Sequence, residues 1–202
     1  MSIVLFGCGG HARSIVGTLL KNDKKAEILL VDCNAKMNEE IMGFKVESIY
    51  NLEESDTCIV AIGDNDRRKK VYNRLYSKNY NKFISVISNT AYIGSSSYIG
   101  TGTFVAPCAY IGSCAYICNN TIINSGSIVE HETRIGNHTH IAPHATVCGR
   151  AEIGDNVFCG AGSTVIDKIS ICDNVVIGAG AVVIENITEP GIYIGVPARK
   201  LI

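Results

Sequence analysis

Between Ala91 and Asn186 the hydrophobic and polar positions repeat every six residues without interruption, giving sixteen consecutive units. The third place is aliphatic in every unit except one, where Cys159 replaces it, and the first place is nearly always Ala, Ser, Thr or Val. Repeats of this length are typical of a parallel β-helix, a solenoid that buries a continuous apolar column. The pattern therefore predicts a β-helix in which three units form one triangular turn and residues 18 apart stack.

In this register the first and third places point inward, whereas the second and fifth places point outward. One column of outward second places is nevertheless strongly apolar, and its members are Phe104, Ile122, His140, Phe158 and Val176. An apolar surface of this extent normally packs against another surface. We expect another subunit to cover the column, which would bury His140 at a subunit interface.

The first part of the chain has a different pattern. Short apolar runs predict strands at Ile3–Phe6, Ile28–Val31 and Cys58–Ile62, and they alternate with two helical segments. The first helix follows Gly10, and the second begins at the N-cap Asp64 and runs to about Asn79. Alternating strands and helices indicate a small Rossmann-like parallel α/β domain over residues 1–82. The β-helix and a short C-terminal tail then occupy residues 83–202, so the fold class is α/β followed by β.

The composition of the chain restricts the classes of molecule that it is expected to bind. The 202 residues are 47% hydrophobic and 18% charged with a formal net charge of -1, which does not favour binding to nucleic acid or to a membrane surface. No apolar run reaches the length of a membrane span. The N-terminus has neither a basic region nor a cleavage site, and the nine cysteines are odd in number. We therefore expect a cytoplasmic protein with free thiols.

A glycine turn follows the first strand and opens the first helix. Gly7, Gly9 and Ala12 have the spacing of a turn whose backbone approaches a phosphate at a helix N-terminus. Asp32 ends the second strand, where a carboxylate can bind ribose hydroxyls. A domain of about 80 residues is half of a dinucleotide-binding fold, so we expect one nucleotide. The alternative is a turn that only packs.

The triplet Glu130-His131-Glu132 is the candidate catalytic motif of the β-helix. His131 occupies a fifth place and points outward, and a histidine is the usual general base near neutral pH. Gly149 is the fifth place of the next turn, so its backbone N–H stacks beside the imidazole and can stabilise an oxyanion. The alternative is a solvated surface histidine.

Further histidines leave other functions open. His138, His140 and His144 are close in sequence, and together with His131 they provide enough nitrogen ligands for zinc. A zinc-dependent, carbonic-anhydrase-like β-helix and a non-catalytic nucleotide-sensing solenoid are therefore alternatives to an enzyme that uses His131 as a base. For His140 two interpretations are equally compatible with the sequence. It is either a hydrogen-bonded histidine buried at an interface or a histidine with a direct role in the reaction.

The sequence resembles the bacterial hexapeptide acyltransferases of the sialic acid O-acetyltransferase (NeuD) and PglD type, over nearly its whole length. The residues that carry the resemblance are Gly7–His11, Ala61–Asn65, Asn124, Glu130–Glu132, His140 and the tail Gly195–Arg199. Some members that act on amino sugars have a second acidic residue after the aspartate of the second strand, where this chain has Cys33.

The resemblance implies a left-handed β-helix, a homotrimer and specific residue roles. His131 matches the catalytic base and Glu132 its partner. The implied acceptor-binding residues are Gly9, Gly10, His11, Asp32, Gly63, Asp64, Asn65, Asn124 and His140. Acetyl-CoA is implied to lie in the groove between adjacent β-helices, at His140, Gly149, Ala161, Gly178 and Arg199.

These observations predict an acetyl-CoA-dependent acetyltransferase that acts on an amino group of a nucleotide-linked amino sugar in bacterial surface-glycan biosynthesis. The acceptor attacks directly in a ternary complex, and no metal is needed. O-acetylation of sialic acid or another surface sugar is the alternative within the same class.

Overall fold

The computed structural model describes residues 2–78 and 80–201. The N-terminal part consists of β1 (Ile3–Phe6), α1 (Gly10–Asn22), β2 (Ile28–Val31), β3 (Glu40–Ile41), β4 (Phe44–Glu47), β5 (Thr57–Val60) and α2 (Asn65–Ser77). The sheet order is β3-β4-β2-β1-β5, and all neighbours except β3 and β4 pair in parallel. The first two strands have the predicted bounds, and the third ends two residues earlier. The predicted end of α2 at Asn79 lies outside the described residues.

The sequence pattern did not predict the hairpin of β3 and β4. Met42 and Gly43 connect the two strands, and both have positive φ, at 53° and 83°. Positive φ at both central residues is the signature of the tight turns that fit the twist of paired strands. The hairpin extends the sheet beyond β2, so the ends of β1, β2 and β4 lie side by side.

The β-helix is built from very short strands stacked in three sheets within the described residues. They are β6 (Val86–Ile87), β7 (Tyr92–Ile93), β8 (Tyr98–Ile99), β9 (Phe104–Val105), β10 (Tyr110–Ile111), β11 (Tyr116–Ile117), β12 (Ile122–Ile123), β13 (Ile128–Val129), β14 (Arg134–Ile135), β15 (His140–Ile141), β16 (Thr146–Val147), β17 (Glu152–Ile153), β18 (Phe158–Cys159), β19 (Thr164–Val165), β20 (Ser170–Ile171), β21 (Val175–Ile177), β22 (Val182–Val183), β23 (Gly191–Ile194) and β24 (Arg199–Lys200).

The stacking follows the predicted register. Ile111 pairs with Val129 and Ile123 with Ile141, each 18 residues apart, and these side chains are fully buried. The small polar residues in the first place of the repeat are also buried. Burial is tolerated because their hydroxyls donate to backbone carbonyls of the neighbouring turn, as Thr139 Oγ1 does to Gly154 O at 2.8 Å. A left-handed parallel β-helix after a small α/β domain is thus confirmed.

The apolar second-place column is covered differently from the prediction. Phe104, Ile122 and His140 are buried, and the first two share a hydrophobic core with residues of the N-terminal sheet and α1 of the same chain. The expectation that another subunit covers this part of the column was wrong, because the N-terminal domain folds back onto it. Phe158 is half-buried and Val176 is 38% exposed.

None of the described helices has both the length and the apolar character required to cross a membrane.

Candidate active site

His131 lies at an outward corner of the β-helix, just after β13, with 49% of its side chain exposed. Its Nδ1 is 3.1 Å from Glu132 Oε2. A carboxylate oxygen accepts, so Nδ1 carries the proton and Nε2 of the neutral ring is free to accept one. Glu132 has a φ of 57°, the left-handed conformation that turns each corner of this helix. The pair is therefore an oriented imidazole with its basic nitrogen available.

Gly149 touches this imidazole from the next turn, as predicted. A Cβ on Gly149 would lie 2.7 Å from both Cε1 and Nε2 of His131, so only glycine leaves room for the ring. Gly149 is buried, and its amide donates to no acceptor among the described residues. A buried amide normally has a partner, so this N–H is available to a ligand.

Another corner shows how the same amides are satisfied elsewhere. There the fifth-place amides of Asn119, Asn137 and Asp155 each donate to a side-chain oxygen 18 residues ahead, at 3.2, 2.6 and 2.7 Å respectively. At the His131 corner the residue 18 ahead of Gly149 is Asp167, and no hydrogen bond joins its carboxylate to the Gly149 amide within the described residues. The Gly149 amide therefore lacks the side-chain acceptor that pairs the amides of Asn119, Asn137 and Asp155.

His140 is held at the junction of the two domains. Its Nδ1 lies 3.2 Å from Gly63 O and its Nε2 lies 3.0 Å from Asn124 Nδ2. The carbonyl can only accept, so Nδ1 is protonated and Nε2 accepts from the amide. Burial, followed by the nearby Arg68 guanidinium, lowers the pKa of His140 to about 4. His140 is neutral at physiological pH with both nitrogens occupied.

Arg68 of α2 was missed by the sequence analysis, although it organises this junction. It is 1% exposed, and it donates to Asn65 Oδ1 and to backbone carbonyls of both domains, including Gly63 and Asn120. Its Nη2 also reaches His138 O at 2.6 Å. Burial lowers the pKa of Arg68 to about 9, so the guanidinium remains charged at neutral pH. In the sequence it lies among other basic residues, and only packing distinguishes it.

His11 faces the same junction from the glycine turn. Its ring is 5.2 Å from the Phe104 ring and 6.5 Å from the His140 ring. Nε2 is buried and has no hydrogen-bond partner among the described residues. Burial, then the neighbouring His140 and Arg68, lowers the pKa of His11 to about 3. The ring is therefore neutral, with one polar atom left for a ligand.

A cleft of about 810 Å³ opens at the carboxyl ends of β1, β2 and β5. It is lined by most of the predicted acceptor-binding residues, namely Gly9, Gly10, His11, Asp32, Gly63 and Asp64. Gly9 is the N-cap of α1 and provides no side-chain cap, and the first turn has no acidic residue. The N–H groups of this helix end are therefore open to an anion.

Asp32 and the residues at the start of α2 already have partners. The Asp32 carboxylate accepts from the amides of Cys8 and Asn34, at 3.0 and 2.9 Å. Asp64 caps α2 as predicted by accepting from the Arg67 amide at 2.8 Å. Asn65 is directed away from the cleft, because its Nδ2 donates to Val157 O of the β-helix at 3.0 Å.

The residues assigned to acetyl-CoA do not meet within one chain. His131 and Gly149 follow β13 and β16 of one sheet, whereas Ala161 and Gly178 follow β18 and β21 of another. Asn124 follows β12 and shares the corner of Ala161 and Gly178. Arg199 in β24 is exposed, with its Nη2 3.8 Å from Glu185.

Among residues 2–78 and 80–201, no group of three or more His, Cys, Asp or Glu side chains is arranged to hold a metal ion. The four histidines considered for zinc lie apart. His138 is buried, with its Nδ1 2.8 Å from Asn120 Nδ2, and the ring of His144 lies against Gly126 at another corner from His131.

Comparisons with known proteins agree with this architecture. Residues 2–75 match the PglD N-terminal domain, and residues 150–185 match the bacterial transferase hexapeptide (six repeats). A variant of GDP-perosamine N-acetyl transferase from Caulobacter crescentus, solved with CoA and GDP-perosamine, is 26% identical with a TM-score of 0.90, covering 100% of this chain and 97% of its own.

Two further solved structures share the fold. The acetyltransferase domain of PglB from Neisseria gonorrhoeae is 23% identical with a TM-score of 0.91, covering 99% of both chains. WeeI from Acinetobacter baumannii is 22% identical with a TM-score of 0.91, covering 100% of both. No curated protein sequence gives a significant match. The predicted resemblance is confirmed: the chain joins a PglD-type N-terminal domain to a bacterial transferase hexapeptide-repeat β-helix.

Proposed function

We propose that this protein is an acetyl-CoA-dependent acetyltransferase that acetylates the amino group of a nucleotide-linked amino sugar. The observation that carries the proposal is the His131–Glu132 pair, whose free Nε2 lies against Gly149 and its unpartnered amide. The fold of the whole chain is that of an N-acetyltransferase solved with CoA and a nucleotide-linked amino sugar. Such sugars are precursors of bacterial surface glycans, which is the pathway we propose.

The chemistry needs one base and one oxyanion donor. The neutral amine attacks the thioester carbonyl carbon, and His131 Nε2 accepts the proton that the nitrogen loses as the N–C bond forms. The Gly149 N–H stabilises the negative charge on the carbonyl oxygen. When the C–S bond breaks, the protonated imidazole returns its proton to the CoA thiolate. Glu132 keeps Nδ1 protonated and stabilises the imidazolium.

The acceptor occupies the cleft of the N-terminal domain in this proposal. The open N-terminus of α1 at Gly9 and Gly10 binds phosphate, and Asp32 retains lone pairs for the nucleoside. The sugar extends towards the junction, where His11 Nε2 has no partner and Asn124 and Gly63 orient His140. His140, with both nitrogens bonded, therefore lines the acceptor site beside Asn124 and does not act as a base.

The active enzyme in this proposal is a cytoplasmic homotrimer with its sites between subunits. The separation of the His131 corner from the corner of Asn124, Ala161 and Gly178 supports it, since two adjacent β-helices can bring the different corners together. Exposed aromatic stacks, such as Tyr98 on Tyr116 at 4.6 Å, provide apolar surface for such contacts. Acetyl-CoA would then bind in the groove, with Arg199 available for its phosphates.

The test is an acetyl-transfer assay with acetyl-CoA and UDP-, GDP-, dTDP- and CMP-linked sugars, followed by mass spectrometry of the product. We expect one nucleoside diphosphate amino sugar to gain an acetyl group on nitrogen. Transfer to a sialic acid hydroxyl instead would favour the O-acetyltransferase alternative. Absence of transfer to any sugar, from protein that binds acetyl-CoA, would refute both.

A further inference from the structure

The nucleotide cleft has a basic wall that the proposed mechanism does not use. Four basic residues of α2 recur at intervals of three and four, which places them on one face of the helix. All four line the cleft, and they are Arg67, Lys70, Arg74 and Lys78, the last at the C-cap. The opposite face of α2 carries the buried Arg68 and Tyr72, so the helix is fixed with this row towards the cleft.

These four side chains have no ion-pair or hydrogen-bond partner within the described part of the chain. The acidic residues that line the cleft are Asp32 and Asp64. Their carboxylates already accept from the amides of Cys8, Asn34 and Arg67. Four cations and two carboxylates leave the lining with a formal charge of +2. A sugar joined to a nucleoside diphosphate carries one negative charge on each of two phosphates, so it matches this charge.

The two ends of the basic row lie at different distances from the glycine turn. A Cβ on Gly63 would lie 3.8 Å from His11 Cβ, so the glycine turn and the start of α2 are adjacent. With a rise of 1.5 Å per residue, Lys78 lies about 16 Å further along the axis than Arg67. Phosphates at the open N-terminus of α1 are therefore near Arg67 and Lys70, and far from Lys78.

We propose that Arg67 and Lys70 form the second wall of a diphosphate subsite, opposite the N-terminus of α1, and that they select nucleoside diphosphate sugars over monophosphate-linked sugars. This inference rests on the proposed function, because it assumes that the cleft binds the acceptor nucleotide. The helix end binds one phosphate through backbone N–H groups. The two side chains add charge-assisted hydrogen bonds that only a second phosphate can use fully.

The test compares two pairs of substitutions with equal charge change. The proximal variant is Arg67→Gln with Lys70→Gln, and the distal variant is Arg74→Gln with Lys78→Gln in the same cleft. Lys24→Gln with Lys25→Gln, on the loop after α1 and outside the cleft lining, serves as the outer control. Calorimetry measures the Kd of UDP, GDP, UMP and GMP at low and moderate salt, with the melting temperature as a check of folding.

We expect the proximal variant to weaken the binding of the preferred diphosphate about 10- to 100-fold, as two charge-assisted hydrogen bonds are lost. Monophosphate binding should change about threefold or less, and the distal and outer variants should retain most diphosphate affinity. The KM for acetyl-CoA should not change. The proposal is overturned if the distal pair has the larger effect, or if mono- and diphosphate weaken equally.

The two proposals fail in distinguishable ways. Loss of diphosphate binding in the proximal variant supports the subsite even if wild-type protein acetylates no sugar, and then only the acetyltransferase proposal fails. Conversely, a wild-type enzyme that acetylates a diphosphate sugar with a KM unchanged by Arg67→Gln and Lys70→Gln overturns the subsite alone.

Discussion

His131 and His140 are outward residues of the same β-helix, but the chain around them gives the two imidazoles opposite properties. His131 lies at a half-exposed corner that no described residue of the N-terminal domain contacts, with Nε2 free and Nδ1 bonded to Glu132. His140 lies under the N-terminal domain, where both nitrogens are bonded and burial lowers its pKa to about 4. Position in the repeat therefore determines direction, whereas domain packing determines exposure and protonation.

A histidine near a substrate can perform two different tasks. A general base must accept and return a proton near neutral pH, which requires a free nitrogen. A neutral ring with both nitrogens occupied instead fixes the geometry of its neighbours, here Asn124 and Gly63. Substitutions at the His131 corner should therefore change mainly activity, whereas substitutions around His140 should change mainly stability.

The largest effect is expected from His131→Asn. Loss of the proposed base should lower kcat about 10²- to 10⁴-fold, with little change in the melting temperature because the side chain is half exposed. Steady-state acetyl transfer and thermal unfolding measure the two quantities. The comparison variant is His144→Asn, an exposed histidine at the corner of Asn124, where the proposed mechanism needs no base. Equal kcat in the two variants would remove His131 from the mechanism.

The repeat pattern was sufficient to predict the His131 corner. The inward and outward places, the stacking of residue 149 beside residue 131, and the adjacent carboxylate all follow from a periodicity that is local in sequence. The unpartnered Gly149 amide could not have been inferred, because the next fifth place is Asp167, a residue type that satisfies the equivalent amides after β14 and β17.

Arg68→Met should have the largest effect on stability. Removal of the guanidinium leaves several buried carbonyls of both domains without a donor, each costing about 1–3 kcal/mol, so we expect a loss of about 3–5 kcal/mol in the free energy of unfolding. Urea denaturation monitored by circular dichroism measures the change. Lys69→Met is the control on the same helix, and it should change stability by less than about 1 kcal/mol. Similar values for both variants would mean that Arg68 does not hold the junction.

The junction was not predictable from the sequence, for a physical reason. Arg68 lies in a run of basic residues, and its burial depends on how α2 packs against the β-helix about 50 to 70 residues away in sequence. The apolar column of Phe104, Ile122 and His140 correctly indicated a covered surface. It could not indicate whether the cover is a second subunit or the same chain, because both satisfy the hydrophobic requirement equally.

Gly149→Ala should disturb the His131 corner without removing the base. The added Cβ would lie 2.7 Å from the imidazole, so the ring must move relative to the oxyanion donor. A misplaced base and donor should lower kcat about 10- to 100-fold while the protein remains folded. Gly126→Ala is a stricter comparison, since its Cβ would displace the ring of His144 and its φ of 62° adds backbone strain that Gly149 does not have. A larger loss of activity in Gly126→Ala would contradict the assignment of the corner.

The smallest effect concerns the pH dependence of stability at the buried histidine. His140 has a pKa of about 4 in the folded protein against an ordinary value of 6.5, so unfolding between these pH values takes up a proton. Stability from this group is present above pH 6.5 and is lost as the pH falls towards 4, by at most about 1.4 kcal/mol per pH unit. Between pH 6 and 5, His140→Gln should reduce the slope of the unfolding free energy against pH by up to about 1.4 kcal/mol per pH unit. This change in slope is expected whatever the substitution does to the absolute stability. His138→Gln should act similarly, because burial also lowers the pKa of His138 to about 4. Urea titrations at several pH values measure the slopes, and an unchanged slope in His140→Gln would show that this imidazole is not held neutral by the fold.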